Sequence, residues 1–147
     1  MKNLIIVLLM CFGFAASAQE VPEDIFENHM QILINDKDFI KEYGVSAQDK
    51  SRQLYINLGC YEQYHRVDPI DVNGRPLFLW NEGTIFFNEV EYPLELLRIR
   101  YPDENMVFYE FTYMLDKKKH FVEVKFVKRY QNWELVDIAT TKLNQAY

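Results

Sequence analysis

What this chain lacks narrows its identity first. It holds two cysteines in 147 residues. Only Cys60 lies beyond the N-terminal apolar run, so no internal disulfide can staple the folded part. No second apolar run approaches the roughly 20 residues that a membrane-spanning helix needs. Positive charge is scarce: 16 Lys and Arg stand against 22 Asp and Glu, a formal net charge of −6. That balance argues against nucleic acid and anionic lipid as partners, because long-range repulsion opposes their approach. A glycine-rich phosphate loop, a serine-nucleophile elbow and a metalloprotease helix are all missing. No cofactor and no metal is expected. Repeats, low-complexity stretches and linkers are missing too, which leaves a single domain.

The first eighteen residues read as an export signal. Lys2 supplies a positive start, Leu4 to Phe14 an apolar core too short to span a bilayer, and Ala16-Ser17-Ala18 the small-residue cleavage pattern. Glu20, Glu23 and Asp24 follow at once and stop the run from extending into an anchor. Met10 before Cys11 does not suit lipid attachment. The expected mature protein, residues 19–147, is thus periplasmic or secreted, with no membrane insertion after cleavage. Loss of Lys2 leaves 15 basic residues against 22 acidic and moves the net charge to −7. Aromatic residues make up 16% of the chain and can supply the core that disulfides do not.

Pro22 to about Tyr43 is expected to be helical. Pro22 suits a first turn, and Glu23, Asp24 and Glu27 favour the positive end of the helix dipole. Ile25, His29, Ile32, Leu33, Asp36 and Ile40 form a stripe at spacings of three and four. The polar Asn35-Asp36-Lys37-Asp38 can divide this into two helices. Ser46 and Asp49 resemble a capping box, which places a helix from Ala47 to about Gln53 and a strand from Leu54, although the alternation there suits a strand as well. Asn73-Gly74 predicts a two-residue hairpin turn between Val67–Val72 and Leu77–Trp80, with Pro76 marking a strand start or an edge. Thr84–Val90 reads as a further strand.

Four strand-length segments then follow: Leu94–Tyr101, Met106–Leu115, Phe121–Tyr130 and Trp133–Ala139. β-branched and aromatic residues crowd them, and turn-forming connectors separate them, as in an antiparallel meander. The expected fold is α+β: one or two N-terminal helices packed on a curved, mostly antiparallel sheet of five to seven strands. This order, closed by the hairpin of Lys125-Phe126-Val127-Lys128-Arg129-Tyr130 and Trp133-Glu134-Leu135-Val136, resembles the nuclear-transport-factor-like and cystatin-like groups. The resemblance implies a cone with a pocket on its concave face, in a family holding enzymes, binding modules and proteins of no known activity.

Alternation divides each meander strand into a cleaner apolar row and a row mixing charges with large hydrophobes. Val107, Tyr109, Phe111, Tyr113 and Leu115 stand against Met106, Phe108, Glu110, Thr112 and Met114. Leu97, Ile99 and Tyr101 stand against Leu94, Leu96, Arg98 and Arg100. Val136 and Ile138 stand against Trp133, Leu135, Asp137 and Ala139. If the mixed rows share a face, Arg98, Glu110, Asp137 and Trp133 line a binding site, apolar walls with a few charges being what ligand sites offer. The alternative is a solvated face with Arg98 and Glu110 as a cross-strand pair.

Glu62, His65, Asp68 and Asp71 could serve a metal or a proton relay, but their spacing matches no metal pattern, and polar edge residues describe them as well. His65 is retained as a candidate ligand-binding residue. Cys60, flanked by apolar residues, is expected to be a small core residue rather than a nucleophile paired with His65. His29 is expected in the core or at its boundary. Lys117-Lys118-Lys119-His120 is expected to be a solvated hairpin tip.

The functional expectation is an exported binding domain that holds a small molecule, a peptide or a partner protein on its curved sheet. An enzyme of the isomerase, dehydratase or hydrolase type, with Glu110, Asp137 or His65 as base, is the alternative. A structural or assembly subunit is the third, with a homodimer left open.

Overall fold

A computed structural model describes residues 20–43, 54–81, 94–115 and 118–142. Two helices, α1 (Glu23–Asn35) and α2 (Lys37–Tyr43), precede seven strands in one sheet. The strands are β1 (Leu54–Asn57), β2 (Ile70–Asp71), β3 (Pro76–Trp80), β4 (Leu94–Asp103), β5 (Met106–Leu115), β6 (Lys118–Arg129) and β7 (Asn132–Lys142). Their spatial order is β2-β3-β1-β4-β5-β6-β7. The chain has the expected α+β class, with a helix packed on a mostly antiparallel sheet. The expected signal peptide, the helix from Ala47 to Gln53 and the strand Thr84–Val90 lie outside the described residues.

The helix break falls where the polar stretch placed it. Asp36 ends α1 through its amide, which donates to the Leu33 carbonyl at 3.1 Å. Its carboxylate then accepts from the amides of Asp38 and Phe39 at 3.0 and 2.9 Å, capping α2. Pro22 sits one position before the first helical residue, and its carbonyl receives the Phe26 amide at 2.9 Å. The buried face of α1 is Phe26, His29, Met30, Leu33 and Ile34. Ile25 and Ile32 are only partly buried at its flank, so the stripe is turned by about one residue from its expected position.

Asn73 and Gly74 both adopt positive φ, 55° and 76°, and Val72 and Arg75 exchange backbone hydrogen bonds around them. This is the tight hairpin that an Asn-Gly pair favours. Pro76 opens β3 opposite Asp71. Between β3 and β4 lies β1, parallel to both. Sequence alternation carries no information about that parallel insertion, which follows from how the segments meet in space.

Two β-bulges correct the expected rows. In β4 the register with β5 shifts between Leu96 and Arg98. Leu94 and Leu96 are therefore buried in the core, Leu97 is left 47% exposed, and Ile99 and Tyr101 take over the core side. In β7 the register with β6 shifts at Lys125/Phe126, so Phe126 faces Leu135 while Lys125 faces Asp137. Val136 is the extra residue, 39% exposed rather than packed under the helix, whereas Ile138, Leu135 and Trp133 pack against the core. A bulge sets two residues opposite one, so every side chain beyond it changes face.

The β4 bulge is anchored from outside the ladder. The Ile99 amide donates to the Tyr61 hydroxyl at 2.9 Å. Gly59, at φ +58°, lies so close that a Cβ there would stand 3.3 Å from the Leu96 carbonyl oxygen. Tyr61 belongs to a strap between β1 and β2 that includes the 3₁₀ turn Glu62–Tyr64. Tyr64 stacks on Phe26 at 4.1 Å, and its hydroxyl donates to the Val21 carbonyl at 2.7 Å. Arg66 pairs with Glu27 of α1. The strap thus ties the start of α1 to the irregular part of the sheet.

Candidate functional site

The sheet has two unlike faces. One carries α1. There Tyr109 of β5, Phe126 of β6 and Trp133 of β7 converge on His29, whose ring stacks on Phe126 at 4.2 Å and meets Trp133 edge-on at 4.6 Å. The His29 Nδ1 lies 2.7 Å from the Tyr109 hydroxyl, and Nε2 has no partner. Burial pushes the imidazole down to about 3, so it is neutral at ordinary pH. Burial also pushes the Tyr109 hydroxyl well above its ordinary value, and that of Tyr64 up to about 12. His29 and Tyr109 are both wholly buried, so this pair is part of the core and no substrate reaches it as the protein stands.

The opposite face carries no helix among the described residues. Directly paired residues share a face, so Tyr55, Phe78 and Trp80 lie on it with Glu95, Arg98, Phe108, Glu110, Glu123, Lys125 and Asp137. Its centre is Arg100. The guanidinium donates to Glu110 at 3.0 Å and to Glu123, two carboxylates that stand directly opposite one another on β5 and β6. The same guanidinium covers the Phe108 ring at 4.4 Å, with the Lys125 ammonium 5.5 Å from that ring. Further along β4 and β5, the Thr112 hydroxyl donates to Glu95 at 2.9 Å, and Lys119 of β6 reaches Glu95 at 3.9 Å. On the β1–β3 part, Tyr55, Phe78 and Trp80 form a cluster of half-buried rings with centroids 5.0 to 5.1 Å apart.

Of the residues singled out from sequence, Arg98, Glu110 and Asp137 do share this helix-free face. They do not converge: Arg98 and Asp137 are exposed, and Asp137 lies two strands from Glu110, beside Lys125. Trp133 is on the other face, against His29, because the β7 bulge moves it there. His65 sits in the strap with a buried Nδ1 that lacks a partner, away from the other four. Arg98 is opposite Glu110 in register, yet the ion pair belongs to Arg100. Cys60 is exposed, not a core residue. Glycine at position 59 turns the chain outward there, and its apolar neighbours Leu58 and Tyr64 are buried in its place.

Sequence reasoning passed over Arg100, Phe108, Glu123 and Lys125 as a unit. The signal for it was the unbroken alternation of β6, which sets Glu123 and Lys125 on one row, while the doublets Leu96-Leu97 and Leu135-Val136 signalled the changes of face of Leu94, Leu96 and Trp133. Two adjacent large apolar residues break strict alternation and mark where a row changes face. Among the described residues no group of three His, Cys, Asp or Glu is placed to hold a metal ion, and no helix is long and apolar enough to cross a membrane. No protein-family model matches this chain, and neither the curated proteins nor the solved structures contain a match.

Proposed function

We propose that this is a small exported binding domain that takes its partner on the sheet face opposite α1. The observation that carries this reading is Phe108 held between Arg100 and Lys125, while Arg100 clasps Glu110 and Glu123. Charges that are already paired with one another fix large apolar groups at the surface. Such a face loses little side-chain freedom when a partner covers it. Arginine and aromatic rings are also the residues that dominate binding hot spots. The ring cluster of Tyr55, Phe78 and Trp80 extends the same face toward the other end of the sheet. Kinship with the nuclear-transport-factor-like or cystatin-like groups is part of this proposal and rests on element order.

Proton-transfer catalysis is the weaker reading. Its three bases stand apart: Glu110 is tied to Arg100, Asp137 lies about 10 Å away at two strand spacings, and His65 is in the strap. A base needs a partner or substrate within hydrogen-bond reach, and none of these three supplies one to another.

A photocrosslinking amino acid placed at Phe108 and at Phe78, with Tyr130 as an exposed control, tests the binding face in the cells that make the protein. Discrete adducts are expected from positions 108 and 78 and not from 130. Equal adducts at all three, or none at any, would refute the reading.

A further inference from the structure

The binding face makes no use of His29. This side chain sits in the middle of α1, and three strands each present one aromatic ring to it. Among the described residues the Tyr109 hydroxyl is the one hydrogen-bond partner it has, at Nδ1, and Nε2 has none. A neutral imidazole suits this pocket: Nδ1 accepts the tyrosine proton and Nε2–H lies against ring carbon. An imidazolium does not. It would carry two donors and a charge, and among the described residues no carboxylate is paired with the ring. Ring faces return only part of the hydration that a buried cation loses.

We infer that His29 is an acid-operated latch, whose protonation unseats α1 from the sheet. The groups that face it from each packed element are consistent with that. From β5 there is Tyr109, with Tyr101 of β4 and Tyr64 of the 3₁₀ turn acting on it; from β6 and β7 there are Phe126 and Trp133, which do not titrate. Glu20 acts on Tyr64, one shell further out. The tyrosines stay neutral throughout the acid range, so His29 alone changes charge inside this pocket. Among the described residues, α1 is held to the strap and the sheet by side chains alone, through its buried apolar face and through Glu27 to Arg66 and Asn35 to Asn73. No backbone hydrogen bond joins it to the sheet among the described residues, whereas β4 to β7 are joined to one another by long backbone ladders.

The direction follows from linkage. The docked imidazole titrates near 3 and the undocked one near its ordinary 6.5. Docking is at full strength above pH 6.5 and loses about ten-fold per unit below it, until the docked form itself protonates. Between pH 7.5 and 4.5 the undocked population rises about a hundred-fold.

Hydrogen exchange on the whole chain, corrected for the intrinsic pH dependence of exchange, reads this directly. Protection of the α1 amides is expected to fall by about a hundred-fold between pH 7.5 and 4.5, while β5 and β6 keep theirs. In His29→Gln the α1 protection is expected to stay flat. Equal loss in wild type and His29→Gln, or loss of β5 protection in step with α1, overturns the latch. Should His29→Gln fail to fold, an NMR titration of the wild-type imidazole decides alone. An unshifted midpoint near 6.5 overturns the proposal, and no titration above pH 4.5 while α1 is docked supports it.

Discussion

Arg100→Met removes one charge from the helix-free face and keeps most of the side-chain stem over Phe108. Two ion pairs are lost, to Glu110 at 3.0 Å and to Glu123, in a setting where the three side chains are 39%, 17% and 34% exposed. Pairs of this half-exposed kind contribute about 0.5–1 kcal/mol each. Glu110 and Glu123 are then left directly opposite one another, and like charges in that position repel. At roughly 5 Å and an effective dielectric constant between about 40 and 80, the repulsion is about 1–2 kcal/mol. The variant is therefore expected to lose about 2–3 kcal/mol in urea unfolding, with an unchanged m value. The decisive comparison is the same substitution in a Glu123→Gln background, where the repulsion and one ion pair are already gone. There the cost is expected to fall to about 1 kcal/mol. Added salt is expected to restore part of the loss in the single variant, because it screens the two carboxylates. A cost that is the same in both backgrounds, or below about 0.5 kcal/mol in the first, would refute the account of Arg100 as the clasp of this face.

Tyr61→Phe leaves the Ile99 amide without its acceptor at the β4 bulge, and a loss of about 1–2 kcal/mol in thermal or urea unfolding is expected. Leu96→Ser and Leu97→Ser test the bulge by contrast. The first opens the core and is expected to cost more than about 2 kcal/mol, the second less than about 0.5, although the residues are adjacent and identical. Native protein is expected to take up one iodoacetamide at Cys60 at a rate close to that of urea-unfolded protein, read by intact mass, because this thiol is exposed.

Much of the fold was legible because its signals are local. The Asn35–Asp38 break, the Asn73-Gly74 turn and the β5 strand of alternating aromatics depend on backbone preferences and on neighbours in the chain, which any reader of the sequence can apply. The candidate site was less legible. Arg98, Glu110 and Asp137 were placed on one face correctly, but Trp133 was assigned to the wrong face and Arg100 was passed over in favour of Arg98. The first error traces to the phase slip of one residue at Val136, the second to an ion pair that runs diagonally across the β4–β5 register rather than between directly opposed residues. Cys60 was expected inside for its apolar neighbours. The turn at Gly59 instead buries Leu58 and exposes the thiol.

By itself the sequence determined the class of the domain, its helix break and its tight turn, since these follow from periodicity and from φ preferences of single residues. Only the tertiary structure decided that β1 enters in parallel between β3 and β4, that Tyr61 satisfies the open amide of the bulge, and that three strands close on His29. Those arrangements join residues 23 to 104 positions apart, and no local preference encodes which distant partner a side chain will meet.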